Sequence, residues 1–105
     1  MRYVVKTNNK IVVLNPTKDI TIWSDDHNLD RGTDLLLHKT QNNENVYYLF
    51  HWSAYTFEKD YIEIISRNHA LDFILENGYN NPLSDEKYIF LLKYFPELKG
   101  DESDQ

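Results

Sequence analysis

The chain has 105 residues, no cysteine and a formal net charge of −6, with 17 acidic against 11 basic side chains. This length suffices for one domain with its own core, and the missing cysteines exclude disulfides, thiolate nucleophiles and Cys-ligated zinc. The acidic balance argues against a general nucleic-acid binder, because phosphate contacts need clustered Lys and Arg.

The lengths of the apolar runs indicate the cellular location of the protein. No run approaches the length of a membrane span, and the N-terminal residues lack the apolar stretch of a signal peptide. Together with the absence of cysteine, this favours a cytoplasmic protein without membrane contact.

The N-terminal segment predicts a β-hairpin. Residues 3–7 and 10–15 are β-branched runs on either side of Asn8-Asn9, a dipeptide that accepts the positive φ of a tight turn. Pro16 ends the second strand, because it has no N–H to donate to a ladder.

The next segment predicts a short third strand at residues 20–23 and then the longest surface loop, residues 24–32, which is polar and Asp-rich. Oxygen side chains alternate there in the manner of a calcium loop, and the ligands would be Asp26, Asn28, Asp30 and Asp34. Its Gly and Leu positions depart from the EF-hand, so the simpler interpretation is a solvated turn, and we predict no metal.

The densest apolar and aromatic run, residues 46–52, predicts the central strand. Residues 33–39 form a second apolar run, and the Asn-rich residues 41–45 between them predict a turn, so the two runs should pair as an antiparallel hairpin.

We predict that Thr40 pairs with Asn45, which places Leu37 opposite Tyr48 on the core face. Leu35, Val46, Phe50 and Trp52 would share that face. The opposite, only partly covered face would carry Asp34, Leu36, His38, Tyr47, Leu49 and His51.

In this register His51 faces Asp34, and a carboxylate-oriented imidazole is the second half of a hydrolytic triad. An alternative function is therefore a small-ligand binder or a hydrolase-like enzyme that uses Asp34, His51 and Tyr47. Ser53 lies near, but the sequence places no nucleophile, and a cross-strand hydrogen bond is the simpler interpretation. His38 would lie about four residues along the ladder from His51, too far to share a metal with it.

The C-terminal part predicts an edge strand at residues 61–65 and two helices. Ser66 has the properties of an N-cap, and apolar side chains at helical spacing follow it over residues 67–77. Gly78 stands where a left-handed C-terminal residue is expected.

The second helix should begin after Ser84 and stop before Pro96. Its predicted apolar side consists of Tyr88, Ile89, Leu91, Leu92 and Phe95. Phe90 and Tyr94 stand four residues apart on the other side, where they form either an exposed patch that anchors a partner or ordinary core. Residues 1–96 would form the domain, and residues 97–105 an acidic, disordered tail.

The layout Gly32-Thr33-x-Leu35, Tyr47-Tyr48-Leu49, Trp52-Ser53 and Ile64-x-Ser66-x-x-x-Ala70-x-x-Phe73 covers roughly the middle half of the chain. It resembles a loose group of small bacterial proteins, several of them associated with mobile elements. The resemblance implies a hairpin-plus-helix fold unit and a mobile-element origin, and it implies no activity.

These patterns predict an α+β domain in which antiparallel hairpins form a twisted sheet and two C-terminal helices pack on one face. No phosphate loop or zinc-protease spacing is present, so we expect a non-enzymatic protein without a cofactor that acts by binding a protein partner. Its acids would stand in for phosphates on a nucleic-acid-processing enzyme of host defence. The predicted partner-binding residues are Asp25, Asp26, Asp30, Phe90 and Tyr94.

A further alternative is a single-stranded nucleic-acid binder. Residues 1–18 hold four basic and no acidic side chains, so the first hairpin would supply the phosphate contacts. The overall acidic charge makes nucleic acid the less favoured direct ligand.

Overall fold

The computed structural model describes residues 1–25, 30–78 and 81–101, and confirms the predicted α+β class. Its elements are β1 Tyr3–Thr7, β2 Lys10–Leu14, β3 Ile20–Asp25, β4 Arg31–Lys39, β5 Asn45–Ser53, β6 Tyr61–Ile65, α1 Arg67–Asn77, α2 Asp85–Tyr94 and the 3-10 helix Pro96–Lys99. Strands β1 and β2 pair in one antiparallel sheet, and β3-β4-β5-β6 form a second in that order.

The first hairpin turn lies where the sequence predicts it, but the bounds of β3 and β4 differ from the predicted ones. Asn8 and Asn9 take φ values of 50° and 64° between β1 and β2, which confirms the first hairpin. Strands β3 and β4 are longer than predicted, because Asp25 and Arg31 already belong to the ladder. The predicted loop 24–32 is correspondingly shorter, and residues 26–29 lie outside the described residues.

The register of the central hairpin differs by one residue from the predicted one. Leu37 pairs with Tyr47, and Lys39 pairs with Asn45, so five residues form the turn. Within it the Asn43 N–H donates to Thr40 O, and Asn43 takes a φ of 67°. A left-handed Asn lengthens the turn by one residue, and a one-residue slip moves every side chain of one strand to the other face.

The helices pack on one face of the four-stranded sheet, as predicted. Ala70 and Ile74 of α1 are buried there, as are Leu91 and Phe95 of α2. The same core cluster takes its strand residues from β3, β4 and β5: Ile22, Trp23, Leu35, Leu37 and Tyr47. Tyr47 is therefore a core residue, and its predicted place on a partly open face is wrong.

The other face of the sheet is covered by the β1–β2 hairpin, which the sequence analysis did not predict. Leu14 and Val12 of β2 form a second buried cluster with Leu36 of β4 and Tyr48 of β5. The domain consequently has three layers: a hairpin, a sheet and a pair of helices. Strands β4 and β5 are buried from both sides.

Both helices begin at the predicted caps. The Ser66 hydroxyl accepts from the His69 N–H at 3.1 Å, and Ser84 accepts from the Lys87 N–H at 3.2 Å. Helix α2 ends just before Pro96, as expected. Ile89 is 67% exposed, so its assignment to the buried side of α2 is wrong.

Gly78 does not adopt the predicted left-handed conformation, since its φ is −92°. A Cβ at this position would lie 3.0 Å from Ile74 O and 3.4 Å from the Trp23 ring. The close contact is with the Ile74 carbonyl, which accepts the Gly78 N–H at 2.8 Å, so a side chain here would crowd the end of α1; the distance to the indole is an ordinary van der Waals contact.

The first residues of the predicted tail are ordered. Glu97 receives hydrogen bonds from both terminal nitrogens of Arg67, one of them at 2.9 Å, and Leu98 packs partly against the helix-side core. The hydrogen bonds from Arg67 lower the pKa of Glu97 to about 2. Residues 102–105 lie outside the described residues.

Asp19 connects the layers through a network of hydrogen bonds. Its carboxylate accepts from the Tyr48 hydroxyl at 2.6 Å and from the Asn15 N–H at 3.0 Å, and its Oδ1 lies 2.8 Å from His38 Nδ1. Burial, reinforced by the hydrogen bond to Asp19, raises the pKa of Tyr48. The network holds the connection that follows β2 onto the central hairpin.

Tyr48→Phe tests this network. Removal of the hydroxyl should lower the free energy of unfolding by about 1.5 kcal/mol near neutral pH, because a hydrogen bond to a charged group is lost. The folded-state pKa of Tyr48 lies above its unfolded value of 10.0, so its contribution is fully present below that pH and is lost as the pH rises toward the folded pKa.

Urea unfolding of the wild type and of Tyr48→Phe, followed from about pH 8 to about pH 11, measures this difference. The difference in the free energy of unfolding between the two proteins should become smaller above pH 10.0, the unfolded pKa of Tyr48. If this difference is absent, or grows with pH, the hydrogen bond from Tyr48 to Asp19 does not stabilise the fold as described.

Candidate functional site: the aromatic end of the sheet

The β5–β6 connection displays aromatic side chains to solvent. Phe57 is 80% exposed, Tyr61 at the start of β6 is 58% exposed, and Tyr55 is 38% exposed. We call these three residues the aromatic end. Large rings exposed together are unusual on a small protein, and they are typical of surfaces that bind partners.

The Tyr55 ring contacts both Phe57 and Arg31. Tyr55 and Phe57 lie with their centroids 5.4 Å apart, and the Arg31 guanidinium lies 5.2 Å from the Tyr55 ring. Arg31 is itself held by Glu58, whose two carboxylate oxygens both lie 3.0 Å from Arg31 Nε. These hydrogen bonds lower the pKa of Glu58.

Hydrogen bonds also fix the backbone of residues 54–60. The Tyr55 hydroxyl donates to Asp30 Oδ2 at 3.0 Å, and its N–H donates to Ser53 Oγ at 3.1 Å. The Ser53 N–H donates to Asp60 Oδ1 at 2.9 Å. A partner that binds at Tyr55 therefore meets a side chain whose hydroxyl is already held, which lowers the entropic cost of association.

A pocket of about 350 Å³ lies beside the rings on the helix side of the sheet. In it His51 stacks on Tyr61 with 4.5 Å between ring centroids. His51 Nδ1 lies 3.1 Å from Thr33 Oγ1, and His51 Nε2 lies 3.2 Å from Glu63 Oε1. A hydroxyl, an imidazole and a carboxylate thus form a chain, which is the order of groups in a hydrolytic triad.

The predicted pairing of Asp34 with His51 is wrong, because the register shift separates them. His51 pairs with Thr33, and Asp34 pairs with Phe50 on the other face of the sheet. His38 likewise lies on the face opposite His51, next to Asp19. The carboxylate partner of His51 is Glu63 of β6, and not Asp34 of β4 as predicted.

The predicted partner-binding residues lie in two separate places. Asp25 lines the pocket, and Asp30 contacts Tyr55, so both belong to the aromatic end. Phe90 and Tyr94 are half-buried on α2, 5.3 Å apart, and both pack against the helix-side core. Asp26 lies outside the described residues. The role of these residues in binding stays a prediction.

The proposed calcium ligands are not assembled in the described structure. Asp34 is held in β4, where it pairs with Ser24, and Asp30 contacts Tyr55. Asp26 and Asn28 lie outside the described residues. Across residues 1–25, 30–78 and 81–101, no three His, Asp or Glu side chains are grouped so as to hold a metal ion.

Tyr55 and Phe57 are the functional candidates that the sequence analysis missed. They lie two positions apart in the connection between β5 and β6, and paired aromatic residues in a loop are a readable sign of a binding surface. Glu63 was missed because its contact with His51 depends on the order of the strands.

The outward face of the first hairpin bears on the nucleic-acid alternative. It presents Val4, Ile11 and Val13, all exposed, together with Lys6. Tyr3 faces inward and packs edge-on against Phe50. Stacking of bases requires exposed rings, so no observation at this hairpin favours single-strand binding.

No family model, curated protein or solved structure matches this chain. Among the described residues, none of the helices is both long and apolar enough to cross a membrane.

Arg31→Gln tests whether the aromatic end is preorganised. Loss of the guanidinium should raise the pKa of the Glu58 carboxyl toward its ordinary value of 4.5, because Arg31 hydrogen bonds are the main cause of its lowering. NMR titration of the Glu58 side chain measures this change. Lys59→Gln removes a nearby charge that does not hydrogen-bond to Glu58 and should leave the pKa low; an equal rise in both variants would exclude the specific contact.

Proposed function

We propose that this chain is a non-enzymatic protein-binding module whose aromatic end docks on a partner protein. The observation that carries the proposal is the exposure of three rings, Tyr55, Phe57 and Tyr61, of which the first two are in contact. Tyr, Phe and Arg are the residue types enriched in the cores of interfaces, and rigid rings contribute contact area at a low entropic cost.

The charges around the rings indicate the kind of partner. Among the described residues, five acidic side chains surround the aromatic end and its pocket, against two basic ones, Arg31 and Lys59. The acidic residues are Asp25, Asp30, Glu58, Asp60 and Glu63. Arg31 is already paired with Glu58, so the rim around the rings is predominantly negative and fits a basic surface.

A basic surface of this kind is a common feature of enzymes that process nucleic acids, which neutralise phosphates with Lys and Arg. We infer that the partner belongs to this class, with the acidic rim occupying positions that phosphates would take. An inhibitor of a host-defence enzyme, encoded by a phage or another mobile element, fits this partner class.

Phe57→Ala tests the proposal directly. Phe57 contacts the rest of the fold little, so its loss should leave stability unchanged while weakening partner binding about thirtyfold, the cost of a typical hot-spot residue. The measurement is affinity capture from the host cell, followed by titration of the captured partner. Ile89→Ala is the matched control, because Ile89 is also exposed and apolar but lies on α2.

Three results would contradict the proposal. Equal affinity of Phe57→Ala and Ile89→Ala would remove the aromatic end from the interface. Partner binding that does not weaken with added salt would exclude a role for the charges. Glu63→Gln should weaken partner binding and Lys59→Gln should strengthen it, and affinities that do not change in these opposite directions would exclude that role as well.

A second candidate function is supported by the pocket beside the rings. Its volume of about 350 Å³ lies in the range of small-molecule sites. The chain from Thr33 through His51 to Glu63 would position a hydroxyl for attack on an acyl group, with His51 as the base. Thr33 distinguishes the two functions, because its hydroxyl is needed for attack on an acyl group and not for docking through the rings.

A further inference from the structure

The end of the central hairpin opposite the aromatic end contains a basic pocket. It lies where β4 ends and β5 begins, about 26 Å along β4 from Arg31 at a rise of roughly 3.3 Å per residue. The pocket has a volume of about 380 Å³, and the apolar side chains Ile20 and Leu37 contribute to its lining. Its polar and aromatic lining residues are Lys39, Asn45, Tyr47, Arg67, Lys93 and Tyr94.

Three positive charges converge here in a protein whose net charge is −6. Lys39 and Lys93 form no ion pair with any other residue in the described part of the chain. Most basic side chains of an acidic protein have neighbouring carboxylates available, so two unpaired ammonium groups at one pocket create a local positive potential.

Arg67 gives this pocket a rigid wall. Its guanidinium donates to Glu97 and to Tyr94 O, the latter at 3.1 Å, and lies 4.9 Å from the centre of the Phe95 ring. The hydrogen bonds with Glu97 raise the pKa of Arg67 and hold it charged. Because Arg67 bonds the carbonyl at the end of α2, it also offsets the partial negative charge of that helix terminus.

The geometry points to a binding site for a small phosphomonoester that carries an aromatic ring. The two ammonium groups would take the phosphate, since compact cations that lack acidic partners suit a dianion. The half-buried ring of Tyr94, which lines the same pocket, would take the aromatic ring of the ligand. The pocket has more room than a bare phosphate needs, and its volume lies in the range of small-molecule sites.

This site is independent of the proposed docking function. It shares no lining residue with the aromatic end, and the buried middle of the sheet separates the two. A ligand here would add a second binding activity to the module.

Titration of the full chain with phenyl phosphate, followed by amide NMR shifts, tests the site. We expect saturable shifts centred on Lys39, Asn45 and Tyr94, with weaker binding of inorganic phosphate and of phenol. The double variant Lys39→Gln/Lys93→Gln should lose at least about tenfold in affinity, the effect of one charge-assisted contact. Both lysines are exposed, so the variant should keep the wild-type spectrum elsewhere.

The matched control is Arg2→Gln/Lys6→Gln, which removes the same charge at exposed positions outside the pocket and should bind phenyl phosphate as the wild type does. An equal loss in the control would mean attraction by net charge alone and would overturn the proposal. Shifts that do not saturate would overturn it too, as would equal affinity for phosphate and phenyl phosphate.

Discussion

Burial of the central hairpin from both sides is the constraint on which the rest of the structure depends. Leu35, Leu36 and Leu37 follow one another in β4, and all three are at most 1% exposed. Successive side chains of a strand point to opposite faces, so this run requires two covering layers. The helices supply one layer and the β1–β2 hairpin supplies the other. Asp19 accepts a hydrogen bond from Tyr48 on the side covered by the β1–β2 hairpin. Without it, the buried hydroxyl would have no partner.

This constraint also determines where binding chemistry can lie. The middle of the sheet is inaccessible, so the exposed polar and aromatic groups gather where the strands end. At one end the β5–β6 connection presents Tyr55 and Phe57 with an acidic rim, and at the other end Lys39 and Lys93 surround a basic pocket. The molecule therefore carries opposite charge at its two ends, which its net charge of −6 conceals.

The sequence predicted what is determined locally. Ser66, Ser84 and the Asn8-Asn9 turn set element boundaries through short-range hydrogen bonds and φ preferences, and these predictions are confirmed. The register was wrong, because a single left-handed residue, Asn43, moved the turn by one position. That error displaced the proposed site, and contacts such as His51 with Glu63 could not be predicted without knowledge of the strand order.

The most direct test of two-sided burial compares two residues of β2 that face opposite ways. Leu14 is fully buried against the sheet, and Ile11 is 76% exposed. Leu14→Ala should lower the free energy of unfolding in urea by about 2–5 kcal/mol, the cost of a core truncation, while Ile11→Ala should change it by less than about 0.5 kcal/mol. Similar small losses in both variants would mean that the first hairpin does not cover the sheet, and would contradict the account.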